Sequence, residues 1–157
     1  MDSSHAHAKP GSLLQQQAWL SSTLCGSNAN WKFVYMHHAP FSSGGHYRAK
    51  LRQLRYQQWG ADAVFAGHNH LYERVIRTDG INKCMPYFVS GFSGKSKYGF
   101  GPPIDGSMCR YNGFHGAMLV TVYGRWADFR FYSIDDKDSG ANGGRLIDRY
   151  VLWKTHK

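Results

Sequence analysis

Apolar positions near helical spacing open the chain, with Leu14, Trp19, Leu20 and Leu24 following Ser12, a residue suited to an N-cap. This predicts a helix from Ser12 to Leu24. A short apolar run, Lys32 to Met36, reads as a strand and leads straight into His37, His38, Ala39 and Pro40. Residues 47–59 place Tyr47, Leu51 and Leu54 on one helical face and basic residues on the other, and Gly60 ends that helix. Asp62 to Ala66 is a second buried-type strand, stopped by Gly67. Helix, strand, helix, strand in that order predicts βαβ-like units and a parallel region of sheet.

Beyond Gly67 the pattern changes. Leu71 to Arg77, Tyr87 to Ser90, Ala117 to Tyr123, Ala127 to Tyr132 and Leu146 to Leu152 all carry strand formers. Turn signals such as Asp79-Gly80 and Gly124-Arg125 separate them, which predicts an antiparallel region. The Gly-rich stretch from Gly91 to Gly106 reads as a surface loop. Residues 1–11 are a polar start, and residues 12–157 form one domain without internal repeat or long linker.

The 157 residues are 42% hydrophobic and 15% aromatic, which suits a folded domain rather than a disordered chain. No apolar run approaches the roughly 18 residues of a transmembrane helix, and the first part of the chain has no signal-peptide core. The net charge is +9, but the basic residues are scattered, the closest group being Arg48, Lys50, Arg52 and Arg55. Polyanion attraction follows from such a charge, yet a dedicated nucleic-acid surface is not expected. Aromatic alternation at Trp126, Phe129, Phe131 and Tyr132 reads as strand core and rim, not as a base-stacking platform. Cys25, Cys84 and Cys109 form no CxxC pair, which leaves room for one disulfide and one thiol.

Two histidine groups occupy matched positions, each just after a short apolar strand: His37 with His38, and His68 with His70. The carboxyl ends of neighbouring strands are where α/β folds build sites, so the two groups converge if the strands are adjacent. Imidazole is a common ligand for zinc, iron and manganese. In extended backbone, His68 and His70 would project to one side. The competing reading is that each is an ordinary surface or packed histidine at a strand end.

Three consecutive pieces resemble the calcineurin-like metallophosphoesterases, and among them the purple acid phosphatases. They are Tyr35-Met36-His37-His38-Ala39-Pro40-Phe41-Ser42-Ser43, then Gly60 to His70 with its Gly67-His68-Asn69-His70, then Leu71-Tyr72-Glu73-Arg74. The closing Gly144-Arg145-Leu146-Ile147-Asp148 resembles the end of such a domain. The resemblance implies a calcineurin-like four-layer α/β/β/α sandwich, present as its carboxy-terminal half with a mixed and antiparallel sheet. It implies a dinuclear centre of iron with zinc, manganese or a second iron, with His37 and His68 on one ion and His70 on the other. His46 would contact the phosphate or protonate the leaving alkoxide, and His38 is not expected to coordinate. The substrate class implied is a phosphate ester, chiefly a monoester, with phosphodiesters and nucleotides as the rival class. Intact relatives are often secreted.

The departures matter equally. The family's Asp-x-His, Gly-Asp-x-x-Asp or Tyr, and Gly-Asn-His-Glu motifs, which supply the carboxylate and Asn ligands, do not occur here. Met1-Asp2-Ser3 resembles a mid-domain Leu-Asp-Ser, so this chain matches the second half of the family domain. Three neutral imidazoles without a bridging carboxylate neither neutralise two cations nor set their separation. The expectations are therefore at most one weakly held metal, poor turnover, an exposed edge strand and apolar sheet face, and either self-association or pairing with a separate first half. The alternative is a catalytically incomplete fragment or pseudo-enzyme that acts only by binding. Three further expectations are structural. Glu73 and Arg74 form an ion pair beside the site, Gly94-Lys95-Ser96 is a loop rather than a P-loop, and His115 is a packed residue, while Lys95 or Lys97 lie near the substrate entrance.

Overall fold

The computed structural model describes residues 12–47, 49–78, 84–134 and 144–154. The polar start and the Asp79-Gly80 turn lie outside them. Helix α1 covers Ser12–Gly26, and the strands are β1 Phe33–Met36, β2 Ala63–Ala66, β3 Tyr72–Thr78, β4 Cys84–Ser90, β5 Ser107–Tyr111, β6 Gly116–Tyr123, β7 Trp126–Ser133 and β8 Arg145–Trp153. Five strands form one sheet in the order β1-β2-β4-β3-β5, and β6-β7-β8 form a second.

Strand pairing follows the change of pattern along the chain. β1, β2 and β4 run parallel, whereas β3 is antiparallel to both β4 and β5. All four residues of β2 are buried, and so are Met85 to Val89 of β4, because each face of the larger sheet packs against something. On one face Val34, Met36, Val64, Val75 and Val89 meet Leu20 and Leu24 of α1. On the other, Phe65, Tyr72 and Phe88 meet Ala127, Phe129 and Phe131 of β7. This is a mixed α/β sandwich. Helix, larger sheet and smaller sheet account for three of the four expected layers. The outer face of the smaller sheet carries exposed Leu119, Tyr123 and Trp153, and no helix covers it among the described residues. β1 ends one edge of the larger sheet, with Tyr35 exposed beside it.

Several local expectations need correction. Leu20 and Leu24 pack as expected and Leu13 joins them, while Leu14 and Trp19 are exposed. Residues 47–59 do not form a continuous helix. A short 3-10 segment, Ala49–Gln53, is followed by turns. Leu51, Leu54 and Tyr56 are all buried, and a 54-to-56 spacing cannot face one side of an α-helix. β4 begins three residues earlier than expected, with Pro86 opposite Ile76 of β3. β2 pairs with β4 only from Tyr87 onwards, so Pro86 sits where no second neighbour needs its missing N–H. β5 was not anticipated, because Ser-Met-Cys-Arg-Tyr lacks β-branched residues and alternates only between half-buried and exposed. The two-residue Gly124-Arg125 hairpin does form, with Gly124 at φ 51°. The three cysteines are all free thiols.

Candidate metal centre

Parallel pairing of β1 with β2 aligns Met36 with Ala66, so both strands end at the same level. The residues that follow emerge side by side, and the amide of Gly67 donates to the carbonyl of His37 at 3.0 Å. His68 Nδ1 lies 2.9 Å from His37 Nε2. His38 joins them, its ring centroid 4.1 Å from that of His68, and one nitrogen of each of His37, His38 and His68 falls within 4.8 Å of the others. His38 is the buried member of the three.

The His-x-His segment is not extended. His68 adopts a left-handed φ of 57°, the Asn69 amide donates to Gly67 O at 2.7 Å, and the Leu71 amide donates to Asn69 O at 2.8 Å. This double turn sends His70 away from the other three. Its ring stacks on Tyr98 with centroids 4.0 Å apart, and its Nδ1–H donates to the carbonyl of Ser96 at 2.8 Å. A carbonyl only accepts, so Nδ1 donates here, and Nε2 is the nitrogen that could offer a lone pair. His46 stands beside this arrangement, 5.4 Å from His68 and 4.8 Å from Tyr98 between ring centroids.

Asn69 holds these pieces together. It is fully buried, and its Oδ1 accepts the His46 amide at 3.0 Å, tying the His68–His70 turn to the Ser-Ser loop. Its Nδ2 has no hydrogen-bond partner among the described residues. Two glycines make room for it. A Cβ on Gly44 would lie 2.8 Å from Asn69 Oδ1, and a Cβ on Gly91 would overlap the Asn69 carbonyl. Gly91→Ala is therefore expected to push the turn outward and lower stability by about 2 kcal/mol, read as a melting temperature lower by about 4–8 °C. An unchanged melting temperature would show that the turn has slack.

Glu73 is fully buried and does not pair with Arg74. Neighbours on a strand point to opposite faces, so the expected ion pair is replaced by two separate sets of contacts. Glu73 accepts from Ser42 Oγ at 3.0 Å, Ser43 N at 2.6 Å, Ser43 Oγ at 2.7 Å and Ser107 Oγ at 2.6 Å. Arg74 binds Asp148 instead. Gly94 to Ser96 is a bend in a loop, and Lys97 donates to the Gly113 carbonyl. His115 packs on Phe92 and bonds to the Lys95 carbonyl. Sequence reasoning passed over Asn69, Tyr98 and the serine contacts of Glu73. The residue between the two histidines was a signal for the first, since Asn tolerates tight turns.

Three clustered imidazoles suit one ion such as zinc, whose N-ligands sit about 2.0–2.1 Å from the metal. Among the described residues no carboxylate belongs to that cluster.

No family model matches the chain. Over 75 residues it is 39% identical to Fe(3+)-Zn(2+) purple acid phosphatase 12 of Arabidopsis thaliana, a match that covers 42% of this chain and 16% of that protein. Purple acid phosphatase PPD1 from yellow lupin (Lupinus luteus) seeds superposes with a TM-score of 0.71 at 18% identity, covering 88% of this chain and 28% of that one. GAP50, described as the anchor in the inner membrane complex of Plasmodium, gives a TM-score of 0.74 at 17% identity, covering 100% of this chain and 49% of that one. The chain thus spans less than half the length of the relatives it matches. No helix among its described residues is long and apolar enough to cross a membrane. The chain thus resembles part of a purple acid phosphatase in sequence over 75 residues and shares the fold of part of such a protein.

Proposed function

We propose that residues 12–157 are the carboxy-terminal half of a metal-dependent phosphoester hydrolase, with monoesters as the main substrate class. The observation that carries this is the approach of His37 Nε2 to His68 Nδ1 at the matched ends of two adjacent parallel strands. In this reading His37 and His68 hold one ion, and His70 offers Nε2 to a second, its orientation set by the Ser96 carbonyl. The ions, iron with zinc, manganese or iron, would supply an activated water and charge neutralisation at phosphorus. His46, exposed and fixed through its backbone by Asn69, contacts a phosphoryl oxygen or hands a proton to the leaving alkoxide. His38, buried between these groups, either packs the cluster or supplies a third nitrogen to the first ion.

A second reading, binding without catalysis, is favoured by one specific fact. No carboxylate stands with the histidines among the described residues, and the missing motifs are those that would supply one. We infer that such ligands come from outside residues 12–157, and that these residues alone hold one ion weakly. Titration with zinc is expected to show at most one site, weakened about tenfold or more by His68→Ala. Hydrolysis of p-nitrophenyl phosphate by the iron-, zinc- or manganese-loaded chain is expected to stay near background. Robust turnover that vanishes in His68→Ala would mean that the chain completes a site by itself or by self-association. Zinc binding untouched by His68→Ala would remove the metal assignment altogether.

A further inference from the structure

A cavity of about 510 Å³ opens on the helical side of the larger sheet, and no histidine lines it among the described residues. Its volume lies within the roughly 300–1,000 Å³ range of small-molecule sites. The inner walls are aromatic and aliphatic: Phe41, Leu54, Tyr56, Tyr87 and Ile104. Phe41 meets Tyr87 edge-on at 4.8 Å, and the Tyr56 hydroxyl is spent on Met36 Sδ at 3.8 Å, so these rings present faces and edges rather than free polar groups.

The polar groups gather around one ring. The guanidinium carbons of Arg52 and Arg77 lie 5.4 and 5.2 Å from the centroid of Phe41. Arg52 is anchored by its Nε, which donates to Pro40 O at 2.9 Å, and its terminal nitrogens carry no hydrogen bond among the described residues. Arg77 uses Nη1 on the carbonyl and carboxylate of Asp105, a residue exposed at the mouth. Among the described residues, two guanidiniums against one carboxylate leave this lining with a single net positive charge.

We propose that this cavity is a second binding site, separate from the histidine cluster, for an aromatic monocarboxylate. Flat apolar walls suit an aryl body, planar guanidinium groups suit a carboxylate, and the net charge suits a monoanion rather than a phosphate dianion. Neither the phosphoesterase reading nor a bound metal is needed for it. The Pro40 carbonyl that Arg52 grips belongs to the same loop as His37 and His38, so an occupant would touch that loop from behind.

The test is a titration of the isotope-labelled, metal-free chain with 2-naphthoate, followed by backbone amide shifts. Dissociation in the millimolar range or tighter is expected, with the largest shifts at Phe41, Leu54, Thr78 and Ile104. The neutral analogue 2-naphthamide is expected to bind about tenfold more weakly or worse, as are Arg52→Gln and Arg77→Gln with naphthoate. Equal binding of acid and amide, shifts centred on His37 and His68, or no saturable binding at millimolar naphthoate would each overturn the proposal. The comparison of acid with amide uses the unmodified chain, so it decides the matter even where a variant fails to fold.

Discussion

Glu73→Ala is expected to destabilise the chain by about 4 kcal/mol or more, and to loosen the loop that carries the histidines. The buried carboxylate accepts four hydrogen bonds, and three of the donors belong to Ser42 and Ser43. Bonds whose removal leaves a buried donor unsatisfied cost about 1–3 kcal/mol each when lost singly. They share one carboxylate, so the total falls below their sum. Removing the acceptor also strands the Ser43 amide and hydroxyls in a dry interior. Glu73→Gln keeps one oxygen for the Ser43 amide and Ser42 Oγ and turns its NH₂ to the Ser43 and Ser107 hydroxyls, which can accept, so it should recover most of the loss. Urea unfolding followed by circular dichroism measures both variants. A midpoint for Glu73→Ala within error of the parent would show that the serines find other partners. Zinc affinity supplies an independent reading, because Ser43 leads through Gly44 and Gly45 into His46, and the same loop begins at His37.

Glu73 also shows where sequence reasoning stops. The strands β1 and β2 were legible because burial on both faces leaves uninterrupted apolar runs, and adjacency then followed from chain order. Convergence of His37 with His68 was legible for the same reason. The path of His70 was not. An i, i+2 argument assumes extended backbone, and the left-handed φ of His68 breaks that assumption without changing the residue pattern. Residues 47–59 misled in another way, since Tyr47, Leu51 and Leu54 at helical spacing outweighed the requirement that Leu51, Leu54 and Tyr56 all reach the core. β5 was invisible because an edge strand that pairs only with β3 needs little apolar content.

Tyr72, Glu73 and Arg74 were read as a family signature with a local ion pair, whereas alternation along β3 makes them a two-sided clamp. Glu73 faces the serine loop, while Tyr72 and Arg74 face the smaller sheet. One short segment therefore fixes the site loop on one side and the sandwich on the other.

The second face of that clamp supports the other large effect, expected for Asp148→Ala. Asp148 on β8 accepts from Tyr72 Oη at 2.7 Å and from Arg74 through Nε at 2.7 Å and Nη2 at 3.0 Å, so a bidentate pair and a phenol join the two sheets. Both charged side chains are largely buried, at 13% and 8% exposure, and the Arg74 guanidinium also lies 5.1 Å from the Tyr150 ring centre. Truncating one partner leaves the other charge enclosed, which costs about 3–5 kcal/mol. Asp148→Asn retains a hydrogen bond from Tyr72 or Arg74 and should cost less, though the guanidinium still loses its counter-charge. The pH dependence separates a lost charge from lost packing. Burial raises the Asp148 carboxyl, but the hydrogen bonds from Arg74 and Tyr72 outweigh it and hold the group below the usual carboxylate range. A carboxyl lowered in the folded state favours folding above its unfolded value of about 3.9, and that contribution disappears as pH falls through the lower folded value. Stability of the parent should therefore fall on acidification below about pH 4 more steeply than that of Asp148→Asn, with the two acid limbs converging once Asp148 is protonated. Parallel acid limbs, measured as urea midpoints from pH 7 downward, would show that Asp148 acts through shape alone. The burial that shields this pair also pushes the Tyr72 phenol far above its ordinary range, so Tyr72 remains a donor to Asp148 across the whole series.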